Sequence, residues 1–357
     1  MQQFFLKHFS AIRTGIAILI GLLICVLIII IVSATPGHSV RTFLLNPLSS
    51  TRRIASIFEM ATPIIFTGVA ISISFQAEQF YIGAEGAFFI TAAVGTAFAV
   101  STSMPWFIHA PAILLVSMAF GGLWGLLPGY LKARFNTSEV VSALMLNFVG
   151  LYSGLYIINT HFRDLDAGFM ASHRLDESAQ LSRFIQGTRI HWGVVLAIFV
   201  AIAGYYFLYH TRIGYEIRTV GHNQRFARYG GISVFRTIII VHVLTGMLAG
   251  LGGMVEIMGI HGRFQWQQSP EYGWDGVIVA IIAKNHPIYV VFASLFLAYL
   301  RIGGQQLRIM SDVPFELVLV IQSMIILLIT ARAFLSRWEA RMIIAQATEE
   351  AGAPEEV

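Results

Sequence analysis

Residues 54–75 read IASIFEMATPIIFTGVAISISF, an apolar stretch that carries a single ionisable residue, Glu59. Its length is close to the roughly 20 residues a helix needs to cross bilayer hydrocarbon. Working outward, runs of the same kind cover Gly15–Ala34, Gly83–Val100, Phe107–Leu131, Val140–Ile158, Trp192–Tyr209, Ile238–Gly259 and Val313–Ala331. Two shorter runs, Val277–Ala283 and Ile288–Leu300, are separated by Lys284-Asn285-His286-Pro287 and followed by a polar break around Gln305-Gln306. Short, interrupted segments have the form of discontinuous helices, whose non-helical backbone is tolerated at membrane depth only where protein or a watery cavity surrounds it. The pattern predicts an all-α polytopic membrane protein of about ten transmembrane helices, some of them discontinuous.

Composition agrees. Apolar residues make up 56% of the 357 and charged residues 12%, against about 25% charged in an ordinary soluble domain. Such a surface calls for lipid as solvent. The net charge of +4 belongs to cations lying between apolar runs, where retention of Lys and Arg in the cytoplasm accounts for them without nucleic acid. Cys25 is the one cysteine, so neither an internal disulfide nor a cysteine-based metal cluster is available. The run after Lys7 and Arg13 is too long for a secretory signal core and is taken as a span.

Lys7 and Arg13, Lys132 and Arg134, the arginines from Arg212 to Arg236, and Arg332, Arg337 and Arg341 predict that both termini are cytoplasmic. The organisation is then a cytoplasmic N-terminus over 1–14, one transmembrane domain over 15–335 and a cytoplasmic tail over 336–357. Residues 160–191 form an external segment, and residues 211–236 a cytoplasmic loop. Arg41, Arg52 and Arg53 conflict with this scheme: either their loop lies along the interface or the second span begins elsewhere.

The chain has no G-x-x-x-x-G-K-[ST] loop, no H-E-x-x-H helix and no G-x-S-x-G turn. Any ATP that drives it must be bound by another subunit. Glu59, Glu85, Glu139, Glu256, Asp275 and Lys284 stand in or beside apolar runs, where ionisable groups are costly and face a cavity or a partner. Glu139 and Asp275 fit a place at span ends in the headgroup layer equally well. Glu85, between Gly83 and Gly86, fits a cavity better, because its glycines let backbone or solute approach. Gly246, Gly250, Gly252, Gly253 and Gly259 read first as tight helix packing and second as a gating hinge. The loop TRIGYEIRTVGHNQRFARYGGISVFR (211–236) carries five arginines and one glutamate. It is either a plain solvated loop or, with Asn223 capping a short helix to Tyr229, a docking surface for another protein.

VGHNQRFARYGGIS (220–233) resembles V-G-x-N-x-x-A-A-R-Y-x-G-I, a cytoplasmic loop of the bacterial ATP-binding cassette permeases for nucleosides and simple sugars. YIGAEGAFFI (81–90), EVVSALMLNF (139–148), GMLAGLGGMVEIMGIHGRF (246–264) and GWDGVIVAIIAKNHP (273–287) are similar to further stretches of the same family, in the same order. The likeness implies a type II importer of the bacterial inner membrane, with no catalytic residue and no metal or cofactor on this chain. An ATPase subunit carries ATP and Mg, a second permease subunit completes a heterodimer, and an external lipoprotein or binding protein delivers the solute. Tyr81, Glu85 and Asn147 are expected to face the pathway, and by the likeness Arg218, Gly221, Asn223, Arg225 and Arg228 belong to the coupling loop that seats in the ATPase.

The chain departs from the family at Tyr81 (Asn), Ala87 (Gln), Lys284 (Arg) and Phe226 (a small residue). Losing two amides removes partners suited to sugar hydroxyls, Tyr81 adds a ring that can stack on a base, and one charged residue in that segment is poor provision for an anion, so a neutral polar solute such as a nucleoside is expected. The alternatives are a proton-coupled secondary transporter using Glu85 or Glu256, and an intramembrane hydrolase, whose paired residues are not placed in adjoining spans.

Overall fold

A computed structural model describes residue 20, residues 22–185 and 187–314, and residues 320 and 323. These fall into two compact units, Pro47–Ile302 and a second unit that takes the chain on either side of it. Among the described residues there are helices and two isolated bridges but no strand.

The helices are α1 (Leu22–Val32), α2 (Pro36–Leu44), α3 (Thr51–Gln76), α4 (Ala84–Ser101), α5 (Trp106–Phe135) and α6 (Glu139–His161), then α7 (Trp192–His210), α8 (Arg212–His222), α9 (Gln224–Tyr229), α10 (Val234–Glu256), α11 (Tyr272–Ile282) and α12 (Pro287–Met310). Seven of them, α3 to α7, α10 with its continuation to His261, and α12, are long and apolar enough to cross a membrane. The helices α1 and α11 are apolar but shorter. The expected span Val313–Ala331 lies outside the described residues except at 313, 314, 320 and 323, and so do the segments 1–14 and 336–357.

In the smaller unit Asp312 is the organising group. Its carboxylate accepts from the Ser33 hydroxyl at 2.6 Å, the Ala34 amide at 2.5 Å and the Ser39 hydroxyl at 3.3 Å. Those bonds satisfy the turn between α1 and α2.

In the larger unit α3 starts at Thr51, three residues before the apolar run, because the Ser50 hydroxyl caps it by accepting from the Arg53 amide at 3.4 Å. Arg52 and Arg53 therefore stand in the first turn of a helix. The second span begins three residues before the expected Ile54. A second expectation fails at Gln305-Gln306, where α12 runs unbroken for 24 residues. Arg301 is tolerated there because its Nη2 meets Asp275 Oδ1 at 2.5 Å, so the polar residues mark a helix interior with partners and not an end. The Lys284–Pro287 break is real: α11 stops at Ile282 after 11 residues, too few to cross a bilayer.

The glycine stretch of α10 packs tightly. A Cβ at Gly246 would collide with the Gly121 carbonyl of α5, and one at Gly253 with the Phe88 carbonyl of α4. Small residues thus let three helix backbones meet. A hinge at these positions is not needed to account for them. After Glu256 the helix widens into a π turn, Ile257–His261, and then leaves helical geometry until Tyr272.

The segment 160–191 closes over that opening. The Leu181 amide donates to the Met258 carbonyl at 3.0 Å, the Leu175 amide to Gly262 at 2.9 Å and the Ser172 amide to Phe264 at 2.8 Å. Backbone freed from the helix is satisfied by a segment distant in sequence. The same segment reaches the first half of α3, where the Arg189 amide donates to Glu59 at 2.9 Å. Residues 211–236 sit at the other end of α3, since Gly221 lies against the Gln76 carbonyl.

Candidate functional site

Two places concentrate polar groups that an ordinary membrane helix bundle would not carry. One is the interrupted span from Ile257 to Ile282, and the other is the 211–236 loop.

At the interrupted span, the N-terminus of α11 opens inside the protein, with amide groups that have no partner in the preceding turn. Glu85, in the first turn of α4 and only 3% exposed, meets them. Its Oε2 accepts from the Gly273 amide at 2.5 Å, and its Oε1 from the Glu271 amide at 2.9 Å and the Ser269 hydroxyl. A carboxyl oxygen is a favourable acceptor at a helix N-terminus, where backbone amides and the helix dipole point at it. Gly273 is required here, since any Cβ would enter the space of Glu85. On its other side α11 lies on α3, where the Thr67 hydroxyl donates to the Tyr272 carbonyl at 2.7 Å.

Asn147 of α6 performs a related task one helix away. Its Oδ1 accepts from the Gly86 amide at 2.8 Å and its Nδ2 donates to the Ile82 carbonyl at 3.3 Å, which pins the start of α4. Tyr81 is fully buried beside it in sequence, its ring 4.6 Å from that of His242 and its hydroxyl without a hydrogen-bond partner. Among the three residues expected on the pathway, Glu85 and Asn147 thus cap helix starts, while Tyr81 packs against α10.

A second buried carboxylate also reaches the first turn of α11. Glu256 Oε1 accepts from the Tyr272 hydroxyl at 3.3 Å and lies 3.6 Å from His261 Nε2, while Oε2 has no partner. Aromatic rings line the non-helical stretch: Trp266 stacks on Phe88 with centroids 5.6 Å apart and meets Phe264 edge-on at 5.5 Å. Trp266 also borders a cavity of about 220 Å³ that the amides of Asn159 and Gln267 share. Asp275, expected at either a cavity or a headgroup layer, is buried and ion-paired with Arg301. Glu139 pairs with Lys132 at 2.9 Å where α5 ends and α6 begins.

The 211–236 loop is folded. Asn223 Oδ1 accepts from the Arg225 and Phe226 amides at 2.9 and 3.0 Å, the capping geometry its position called for. The helix α9 that follows has six residues, and only Ala227 of it is buried. Arg225 and Arg228 are exposed, as are Phe226 at 65% and Tyr229 at 90%. Arg228 also borders a cavity of about 650 Å³ reaching Lys132 and Asn136. Gly221 is buried against α3, and Arg218 lays its guanidinium 5.0 Å from the centre of the Tyr209 ring. The loop's arginines stood out in the sequence, whereas exposed Tyr229 did not, and neither did Gln76 of α3 or Tyr209 of α7. Phe226 was visible as a departure from the family pattern, whereas no local signal marks Gln76 or Tyr209.

Residues 53–330 match the model of the family described as the branched-chain amino acid transport system permease component. The guanosine ABC transporter permease protein NupP of Bacillus subtilis is 32% identical over 331 residues, 88% of this chain and 92% of that protein. The glucose ABC transporter permease protein TsgB13 of Haloferax volcanii is 29% identical, over 87% and 84% of the two chains. PsaBC from Streptococcus pneumoniae, solved in complex with Fab, superposes with a TM-score of 0.50 at 12% identity, covering 84% of this chain and 98% of that one, a likeness of fold. The match over 53–330, together with the fold on which those residues converge, assigns this multi-pass chain to the branched-chain amino acid type family of ABC importer permeases.

Proposed function

We propose that the chain forms half of the translocation pathway of an importer that takes up a nucleoside or another neutral polar solute. In this reading the 211–236 loop faces the cytoplasm and seats in an ATPase subunit that holds ATP and Mg, while residues 160–191 face a substrate-binding lipoprotein outside. A second, different permease subunit completes the pathway in the bacterial inner membrane.

One observation carries the docking role: α9 presents Phe226, Tyr229, Arg225 and Arg228 to solvent on a six-residue helix that Asn223 caps and Gly221 seats. An exposed aromatic pair ringed by arginines matches the composition of interface centres. For the solute, Trp266 beside the Asn159 and Gln267 amides provides a ring and hydrogen-bonding groups without net charge, which suits a nucleobase. Guanosine and glucose, the solutes named for two relatives, are the probes to begin with.

The test is uptake of labelled guanosine and glucose, with ATP hydrolysis measured on the same membranes, in strains carrying Gly221→Leu or Arg228→Glu. Loss of uptake with the protein still in the membrane supports the seat. Wild-type uptake and hydrolysis in both variants would sink it.

A further inference from the structure

The half-span α11 ends on a turn of unusual backbone. Lys284 and Asn285 both hold left-handed backbone, with φ of 53° and 59°. Two successive non-glycine residues in that region persist only where their surroundings impose it. Those surroundings lead to the 211–236 loop.

Gln76, the last residue of α3, touches both. Its backbone carbonyl is the surface on which Gly221 rests. Its side-chain Nε2 donates to the Asn285 carbonyl at 3.0 Å and reaches the Tyr209 hydroxyl at 3.4 Å. A parallel route runs through rings. Arg218 of α8 covers Tyr209 of α7, Tyr209 lies 5.4 Å from the His286 ring, and His286 stacks on Tyr289 of α12 at 4.3 Å. Tyr205 supports the same His286 ring at 5.3 Å. The loop is thus joined to the α11–α12 turn by one shared amide and one unbroken file of rings.

We propose that Gln76, Tyr209 and His286 are positioning residues for transport, which carry a displacement of the 211–236 loop into the turn that ends α11. This rests on the reading that an ATPase docks on that loop. The element with two arrangements is the Lys284–Pro287 turn, and the file of contacts is what biases it. Glu85 holds the opposite end of α11, so a push at the turn tilts the half-span about an anchored N-terminus and does not slide it.

The experiment uses the full chain in membranes of its own host, so that its native subunits assemble. In a Cys25→Ser background, Lys284→Cys reports on the turn through its rate of labelling by a fluorescent maleimide, with and without a non-hydrolysable ATP analogue and Mg. The analogue should change that rate by about fivefold or more. Gln76→Leu, Gln76→Glu and Tyr209→Leu should each cut the response to under about twofold, with ATPase co-purification and ATP hydrolysis unchanged. Tyr209→Phe, which keeps the ring, should retain it.

The proposal is overturned if the Gln76 and Tyr209→Leu variants respond like the parent, if Tyr209→Phe fails as Tyr209→Leu does, or if the ATPase is lost with them. In that last case the cluster would be part of the docking seat. A parent that binds an ATPase but shows no response also overturns it, whereas a parent with no ATPase overturns the proposed function and this relay with it.

Discussion

The two ends of α11 are held by opposite means. Its N-terminus is gripped by a buried carboxylate that takes two backbone amides and a hydroxyl. Its C-terminus ends at an exposed lysine and a half-buried histidine, braced by stacked rings and one neutral amide. A charge-assisted network in a low-dielectric interior is stiff, because every unmade bond costs its full desolvation. Ring contacts at a surface lose little on small displacements. A half-span built this way is a lever with a fixed end and a yielding one.

The largest effect should come from breaking the fixed end. Glu85→Ala leaves the buried Gly273 amide without its acceptor, at about 1–3 kcal/mol, and removes two part-buried bonds, from the Glu271 amide and the Ser269 hydroxyl, at about 1 kcal/mol each. The thermal unfolding of the purified protein in detergent should show a loss of about 3 kcal/mol or more. Gln76→Leu at the yielding end removes single half-buried bonds and should cost about 1 kcal/mol. Equal losses in the two variants would remove the contrast between the ends.

A smaller and pH-dependent effect concerns the 160–191 cover above the fixed end. His191 precedes α7, is fully buried, and packs against Gly193 and Gly259. Burial, with Arg183 nearby, pushes its imidazole down to about 4. A depressed histidine binds its proton in the unfolded chain first, so stability is full above about pH 6.5 and falls as pH drops toward 4. At pH 5 the loss should be about 2 kcal/mol. Melting curves at pH 7.5 and pH 5 should differ less in His191→Gln than in the parent, and an unchanged difference would assign the acid sensitivity elsewhere.

The smallest effect lies in the 211–236 loop. Asn223→Ala removes the cap of α9 and should cost about 1 kcal/mol locally. Hydrogen exchange of the Arg225 and Phe226 amides should speed up while the spans are unaffected. Exchange that stays slow would mean that the arginine and aromatic surface holds its shape without the cap.

How far these features could be read beforehand depends on the range of the interaction behind each. Capping by Asn223 spans three residues and was legible, as was the break before Pro287, which left-handed Lys284 and Asn285 complete. Arg52 and Arg53 belong to the first turn of α3 because Ser50 caps it, a start that the apolar run alone put at Ile54. The expected end of a helix at Gln305-Gln306 was wrong since the partner of Arg301 lies in α11. Glu85 was singled out as an ionisable group beside glycines, but its partners are nearly 200 positions away along the chain, beyond any local pattern.

The sequence by itself determined that this is a membrane protein of helical spans, since apolar run length is a property of contiguous residues measured against a fixed hydrocarbon thickness. It also determined the family, through motifs that keep their order along the chain. Only the tertiary structure decided what the polar groups within the spans do. Glu85, Asp275 and Asn147 find their partners across helices, and a carboxylate that caps a distant helix has the same local sequence as one that faces a solute. The same holds for the link that Gln76 and Tyr209 make between the 211–236 loop and the turn after α11, because rings and amides that meet through the fold carry no mark of their neighbours in the order of the chain.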